Sequence, residues 1–189
     1  MIELVVLDRV APQPWRNGGG VTRELLAWPD AATWQLRMSV ADIGADGPFS
    51  AFAGVDRHFA VLSGDGVVLR WGTRRELLTA DAGPAAFDGG DPPRCELLGG
   101  ATRDLNLMTR RNAGRGTLQR VTAGDEWLDA APLRAVFTTA PAQLQIDDTD
   151  AAVLPAWSLG WSGHAARQRW RLLVDEGHAW WMAWRPQTS

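Results

Sequence analysis

The chain has 189 residues, of which 46% are hydrophobic and 22% charged, with a formal net charge of -3. This composition is typical of a globular protein that can bury one large core or two small ones, and it excludes the strong positive charge of a nucleic-acid-binding protein. The start of the chain has neither a basic segment nor a small-residue cleavage site, and no apolar run reaches membrane-spanning length. We therefore expect a cytoplasmic protein without membrane contact.

The basic residues exclude several enzyme classes. All 19 residues of the Lys+Arg total are arginines, and tyrosine is absent. A Schiff-base lysine, a Walker lysine and a tyrosine acid are therefore excluded. Any cationic group at a site must be a guanidinium, which suits two-pronged contact with a carboxylate. Cys95 is the only cysteine, and a lone thiol is most often a small buried hydrophobe.

Short runs of alternating apolar and polar residues predict β-strands along most of the chain. In TWQLRMSV (33–40), Leu36, Met38 and Val40 share one face, and Arg37 and Ser39 share the other. Gly-, Pro- and Asp-rich turns separate the runs, and no long amphipathic helix competes, so the pattern predicts an all-β sandwich or barrel. The later runs are HFAVLSG (58–64), GVVLRW (66–71), RCELLGG (94–100), RDLNLMTRR (103–111), LRAVFTTA (133–140) and AQLQID (142–147).

A polar stretch interrupts this pattern after residue 108 and indicates where the chain divides. We predict an N-terminal unit of residues 1–114 that holds a ligand pocket and a C-terminal unit of residues 115–189. The tryptophan-rich segment HAWWMAWRP (178–186) is better suited to core packing than to stacking on a ligand.

The segment PWRNGGGVTR (14–23) is the most unusual motif in the chain. It lacks the spacing of a Walker loop and of a dinucleotide-binding fingerprint, so it does not predict a phosphate-binding loop. Consecutive glycines can mark nothing more than a sharp turn. However, Trp15, Asn17, Thr22 and Arg23 place an aromatic ring, an amide, a hydroxyl and a cation around this bend, a mixture that suits a small polar ligand.

Four segments in order, PWRNGGGVTREL, LRMSVADI, GPFSAFAGVDRHFAVLSGDGVVL and DLNLMTRR, closely resemble the HutD/Ves family over roughly the first 110 residues. The resemblance implies a bicupin, two small β-barrels in one chain. It also implies an association with bacterial histidine utilisation for the HutD branch and a stress-related role for the Ves branch. It implies no established catalytic activity, and it suggests binding of a small metabolite such as N-formylglutamate or urocanate.

The usual cupin metal motif can be placed on this chain, but its ligands are missing. With Gly44 and Gly64 at its ends, Ser50 and Phe52 occupy the two histidine positions and Arg57 occupies the glutamate position. A guanidinium cannot coordinate a cation, so we expect no bound metal and no cofactor, with a fixed positive side chain in place of metal charge.

We predict that the N-terminal unit binds a small anionic metabolite of histidine degradation and thereby regulates or buffers that pathway. Arg57 and Arg23 would pair with carboxylate, and Asn17 and Asn106 would hydrogen-bond an amide or formyl group. Asn106 could equally satisfy backbone groups at a sheet edge. The polar face of strand 33–40 lines the interior if the resemblance holds and faces solvent otherwise. The predicted ligand-binding residues are Trp15, Asn17, Thr22, Arg23, Arg37, Ser39, Arg57 and Asn106.

Two other classes of function remain open. A metal-free cupin enzyme, such as an isomerase or lyase, would need a general base, for which Asp56 and Asp104 are the nearby carboxylates. A protein-interaction module would instead fill the pocket with its own side chains. The oligomeric state is open as well, and a homodimer is compatible with the sequence.

Overall fold

The structure is a computed structural model that describes residues 2–122, 124 and 126–187. The described residues form β-strands connected by turns, with one short 3-10 segment at Leu7–Arg9. No helix in this part of the chain has the length and apolar character needed to span a membrane. The strands are β1 (Glu3–Val6), β2 (Gln13–Pro14), β3 (Gly20–Trp28), β4 (Leu36–Ile43), β5 (Gly47–Pro48), β6 (Val55–Ser63), β7 (Val67–Trp71), β8 (Arg74–Leu78), β9 (Ala85–Asp88), β10 (Arg94–Leu97), β11 (Thr102–Arg110), β12 (Gly114–Arg120), β13 (Glu126–Leu128), β14 (Leu133–Thr138), β15 (Ala142–Ile146), β16 (Ala152–Leu154), β17 (Ser158–Ser162), β18 (Arg169–Val174) and β19 (Ala179–Pro186).

The chain divides into two compact units. The N-terminal unit comprises Ala11–Gly116 and Pro186–Ser189, and the C-terminal unit comprises Met1–Val10 and Thr117–Arg185. The sheets of the N-terminal unit have the strand orders β2-β3-β4-β11-β6-β9 and β5-β10-β7-β8. Those of the C-terminal unit are β1-β17-β14-β19-β12 and β13-β18-β15-β16.

The all-β prediction is confirmed, and two details of the predicted architecture are corrected. First, the strand pairings of the described residues give each unit two open sheets rather than a closed barrel. Second, β1 does not belong with residues 11–114: it pairs with β17, from Glu3 opposite Trp161 to Val6 opposite Ser158. This pairing joins distant parts of the chain, so local periodicity gives no sign of it.

The candidate site lies on one face of the six-stranded sheet, the face that carries Arg37, Ser39 and Ile43 of β4, which we call the inner face. Ile43 on β4, Phe59 and Val61 on β6 and Leu69 on β7 belong to one buried apolar cluster within the N-terminal unit. The other face of β4 is buried too, so the strand alternates between two covered faces. Arg37, on the same face of β4 as Ile43, is therefore held inside the protein rather than in solvent.

Candidate ligand-binding site

A cavity of about 760 Å³ lies over the inner face of the six-stranded sheet. Its floor and one wall come from β3, β4, β6 and β11, and the remaining wall comes from the segments 13–17 and 48–52. None of the described lining residues is acidic. The lining residues are Gln13, Pro14, Trp15, Arg16, Asn17, Thr22, Arg37, Ser39, Ala41, Ile43, Pro48, Phe49, Ser50, Phe52, Arg57, Phe59, Asn106 and Met108.

The Arg57 guanidinium is the buried cation of this cavity. Its side chain is on β6, the residue is 7% exposed, and Nη2 donates a 2.9 Å hydrogen bond to Oδ1 of Asn106. The rings of Phe49, Phe52 and Phe87 lie 5.1, 5.8 and 5.1 Å from its guanidinium carbon, within range of cation–π attraction. The described part of the chain offers Arg57 no carboxylate within ion-pairing distance, and its Nε has no hydrogen-bond partner there.

This environment makes the charged form of Arg57 less favourable than in water, but the side chain remains charged. Burial, and then the nearby Arg37 guanidinium, lower the pKa of Arg57 to about 10. The side chain therefore stays positive at neutral pH. Among the described residues its only other polar contact is long, 3.5 Å from Nη1 to the carbonyl oxygen of Ser50, so the guanidinium is buried there without a counter-charge.

Asn106 lies in the same row of the sheet as two other lining residues. On β11 it is opposite Ser39 of β4 and Phe59 of β6. Because its carbonyl oxygen accepts the bond from Arg57, its amide donors are what it can offer to a ligand. The row therefore combines a hydroxyl, an amide and an aromatic ring beside the guanidinium.

Arg37 is the second arginine on the inner face, and it already has a partner. Its Nε lies 2.6 Å from Oε2 of Glu24 on β3, as an ion pair without hydrogen-bond geometry, and both side chains are partly buried. Glu24 is opposite Ser39 in the strand register and shares a face with Thr22. Arg37 is thus neutralised from within the sheet, in contrast to Arg57.

The segment PWRNGGGVTR (14–23) contributes residues 14–17 and Thr22 to the lining of the cavity. Trp15 accepts a 3.0 Å hydrogen bond at its carbonyl from Gly18, and its indole Nε1 donates a 2.8 Å bond to Thr22 Oγ1. Gly18 has a positive φ of 72°, a backbone conformation that favours glycine. At Gly20 a Cβ would lie 2.4 Å from the carbonyl oxygen of Asp42, so only glycine lets β3 approach β4 this closely.

Seven of the eight predicted ligand-binding residues line the cavity, and Arg23 does not. The guanidinium of Arg23 forms a 2.6 Å ion pair with Asp42, whose other oxygen accepts a bond from Arg103. The prediction that Arg23 contacts a ligand carboxylate is corrected: Thr22 lines the cavity, and strand alternation turns the next residue, Arg23, to the opposite face of β3. The seven that line it are Trp15, Asn17, Thr22, Arg37, Ser39, Arg57 and Asn106.

Sequence reasoning missed Arg16 at the cavity mouth and the ion-pair role of Glu24. Arg16 stands between two residues of the same motif that were predicted, so its position was the available signal. Glu24 could have been found from the two-residue period that joins it to Thr22. Phe49 and Phe59 gave no signal, since buried phenylalanines are common in any β-rich core.

The three positions that correspond to cupin metal ligands all line the cavity. Ser50, Phe52 and Arg57 supply no set of metal ligands, and no cluster of three or more His, Cys, Asp or Glu suited to a metal occurs within residues 2–122, 124 and 126–187. Nor does either carboxylate considered as a general base line the cavity. Asp56 pairs with Arg111 at 2.6 Å, and Asp104 is fully buried.

Asp104 is an unusual buried acid on the inner face of β11. Its Oδ2 accepts a 2.9 Å hydrogen bond from the Thr102 hydroxyl, and its Oδ1 has no partner among the described residues. Burial raises the pKa of Asp104 to about 8, with a smaller contribution from the charge of Asp42. Asp104 is therefore mostly a neutral carboxylic acid at pH 7.

The comparisons with known proteins indicate one family for this chain. The sequence model of the HutD family matches residues 8–179. An uncharacterized 21.2 kDa protein in the hutC 3' region of Pseudomonas putida is 44% identical over 112 residues, which cover 56% of this chain and 57% of that protein. Protein Ves of Cronobacter sakazakii is 36% identical over 106 residues, covering 56% and 59%. The chain thus spans little more than half the length of each relative.

Solved structures match the whole chain. A conserved protein of unknown function from Pseudomonas aeruginosa PAO1 has a TM-score of 0.89 at 28% identity, and HutD from Pseudomonas fluorescens SBW25, solved in a formate condition, has 0.87 at 26%. Both alignments cover 100% of each chain. YlbA from Escherichia coli has a TM-score of 0.71 at 8% identity, covering 100% of this chain and 92% of YlbA. That likeness shows the fold alone, and the fold is that of the cupins.

Proposed function

This chain belongs to the HutD family, and from that premise we propose that it binds a small carboxylate in the cavity of the N-terminal unit, without a metal ion. The observation that carries the proposal is the position of Arg57. It is a buried cation with no carboxylate partner among the described residues, and it faces a cavity without acidic lining residues. An anionic ligand would stabilise the charge of this buried guanidinium, because it would replace the water that the side chain loses on burial.

The rest of the lining fits a carboxylate with a short planar or polar body. The guanidinium would bind the carboxylate through two parallel hydrogen bonds. The donors of Asn106 and the hydroxyl of Ser39 are in the adjacent positions of the sheet and would bind an amide, formyl or ring nitrogen. Trp15 and Phe59 would cover the apolar part of the ligand. Urocanate and N-formylglutamate both contain these groups.

The biological role that we propose is regulation or buffering of histidine utilisation in the cytoplasm. This rests on family membership and on the relative from Pseudomonas putida, which is described by its place in the hutC 3' region. The ligand would be an intermediate or product of histidine degradation, and its occupancy would report the flux through the pathway. Catalysis is not part of the proposal, because the described cavity lining offers no carboxylate, histidine or thiol as a general base.

A thermal-shift screen tests the binding proposal. The purified protein is heated with urocanate, imidazolone propionate, formiminoglutamate, N-formylglutamate, glutamate or formate at millimolar concentration. A ligand present at 100 times its Kd should raise the stability by about 2.7 kcal/mol, which gives a clear increase in the melting temperature. If none of these anions changes the melting temperature, the proposed function is wrong.

A further inference from the structure

The charges around the cavity limit what kind of anion it can hold. Three of the described lining residues, Arg16, Arg37 and Arg57, are cationic. Arg16 is exposed at the mouth, where water and salt screen its charge. The charge felt by a bound ligand therefore comes mainly from Arg37 and Arg57.

Glu24 cancels one of these two charges. Its Oε2 lies 2.6 Å from Nε of Arg37, and the two side chains are only 24% and 19% exposed. A pair this close and this shielded from solvent acts on its surroundings as a dipole rather than as two separate ions. Arg57 has no equivalent partner among the residues that the structure describes, so it is the single uncompensated cation of the cavity interior.

We propose that Glu24 sets the charge of the ligand: by neutralising Arg37 it makes the cavity selective for monoanionic carboxylates over dianionic carboxylates of the same shape. This inference rests on the proposed function, since it concerns the same cavity. It assigns to Glu24, which does not line the cavity, the role of a residue that determines specificity by positioning and neutralising Arg37.

The physical reason is the cost of burying a second carboxylate. The first carboxylate loses its hydration water on binding, but this cost is offset because it pairs with the uncompensated charge of Arg57. A second one would lose water as well, would have to compete with Glu24 for Arg37, and would be repelled by Glu24 at short range. Of the two ligand chemistries considered above, the proposal favours the type with one carboxylate, as in urocanate, over the type with two, as in N-formylglutamate.

Two probes of nearly identical shape test this selectivity. Glutarate carries two carboxylates, and in its monoamide one of them is replaced by a neutral amide. Their Kd values are measured by calorimetry with the wild-type protein and with Glu24→Gln. We expect the wild type to bind the monoamide about tenfold more tightly than glutarate, and Glu24→Gln to reduce this ratio by about tenfold through tighter glutarate binding.

Glu96→Gln is the matched control. Glu96 also pairs with an arginine, Arg70, at 2.7 Å in the same unit, but neither residue lines the cavity. Its substitution should leave the ratio of the two Kd values unchanged. Thermal unfolding of each variant verifies that it is folded.

A second variant changes the other residue of the ion pair, Arg37. Arg37→Gln leaves Glu24 without its cation, so it should weaken both probes and glutarate more than the monoamide. If the wild type binds glutarate as tightly as the monoamide, or if neither Glu24→Gln nor Arg37→Gln changes the ratio, the inference about Glu24 is overturned while carboxylate binding stands. If neither probe nor any anion of the thermal-shift screen binds the wild type, the inference and the proposed function both fail.

Discussion

Each unit buries one arginine among aromatic rings, Arg57 on β6 and Arg134 on β14, but the two guanidinium groups have different partners. Arg134 lies between the rings of Trp127 and Trp170, at 4.8 and 4.7 Å, and donates hydrogen bonds to three backbone carbonyls at 3.0, 2.7 and 2.5 Å. Arg57 has three phenylalanine rings, the side chain of Asn106 and one long carbonyl contact.

The difference indicates a structural role for Arg134 and supports the binding role that we propose for Arg57. In the C-terminal unit the space between the sheets is filled by apolar side chains, including stacked Trp127 and Trp181, with ring centroids 4.8 Å apart. Nη1 and Nη2 of Arg134 bond the backbone of β13 at Trp127 and of the segment 163–168 at Ala165 and Gln168, while Nε has no partner among the described residues. In the N-terminal unit three phenylalanine rings lie around Arg57, and Arg57 lines a cavity.

The largest expected effect comes from Arg134→Met. Loss of the guanidinium would leave the carbonyls of Trp127, Ala165 and Gln168 without their donor in a buried environment. We expect a loss of on the order of 3–5 kcal/mol in the free energy of unfolding, measured by urea denaturation. A loss below about 1 kcal/mol would contradict the structural role of Arg134.

The same substitution at Arg57 sharpens the comparison. Because Arg57 is buried without a counter-charge, its replacement by methionine removes a desolvated ion and keeps much of the side-chain volume. We expect the unliganded protein to unfold with a free energy within about 1 kcal/mol of the wild type, or slightly above it. A loss as large as that of Arg134→Met would mean that Arg57 is a structural residue like its counterpart.

Asp104 gives the N-terminal unit a dependence on pH that the apolar core cluster of the C-terminal unit cannot supply. Its folded pKa of about 8 is above the ordinary value of 3.8, so the unfolded state loses its proton first as pH rises. The contribution of Asp104 to stability is fully present below pH 3.8 and is lost as pH rises to about 8. Asp104→Asn removes this loss.

Urea denaturation at pH 4, 6 and 8 tests this prediction. Relative to the wild type, Asp104→Asn should gain several kcal/mol, at most about 5 kcal/mol, between pH 4 and pH 8. The difference between the two proteins cancels the contributions of other titrating groups. A difference that is constant over this range would show that Asp104 is ionised in the folded protein.

Two glycine substitutions in the segment PWRNGGGVTR (14–23) should have different, graded effects on stability. Gly20→Ala would place a Cβ 2.4 Å from the Asp42 carbonyl oxygen and 3.3 Å from the Trp15 ring, so β3 must shift. We expect a loss of about 1–3 kcal/mol in stability and weaker ligand binding. Gly18→Ala, with open space but a φ of 72°, should cost about 1 kcal/mol. Equal, negligible effects would reduce the segment to a spacer.

The fold and much of the site could be predicted because their signals are local. Alternation in 33–40 placed Arg37 and Ser39 on one face, and the cupin motif implied by the family resemblance, laid between Gly44 and Gly64, predicted Arg57 in the interior. Arg23 was assigned to the ligand because it is near Thr22 in sequence, although the same alternation turns it toward Asp42.

The remaining features depend on contacts between distant parts of the chain. Pairing of β1 with β17 joins residues more than 150 positions apart, and no local pattern encodes it. The ion pair of Glu24 with Arg37 depends on the register between β3 and β4, including the irregularity after Glu24. Such features follow from packing and register, which one sequence does not specify.

Calorimetric titration of the carboxylate that gives the largest thermal shift, into the wild type, Arg57→Ala and Arg23→Ala, tests the central claim most directly. We expect Arg57→Ala to weaken binding by on the order of 2–5 kcal/mol, as for the loss of one partner from a buried charge pair. Arg57→Lys should recover only part of this, because an ammonium group cannot reproduce a two-pronged contact. Arg23→Ala should bind like the wild type, since Arg23 pairs with Asp42 away from the cavity. Unchanged affinity in Arg57→Ala, or a loss confined to Arg23→Ala, would contradict the assignment of this cavity as the anion-binding site.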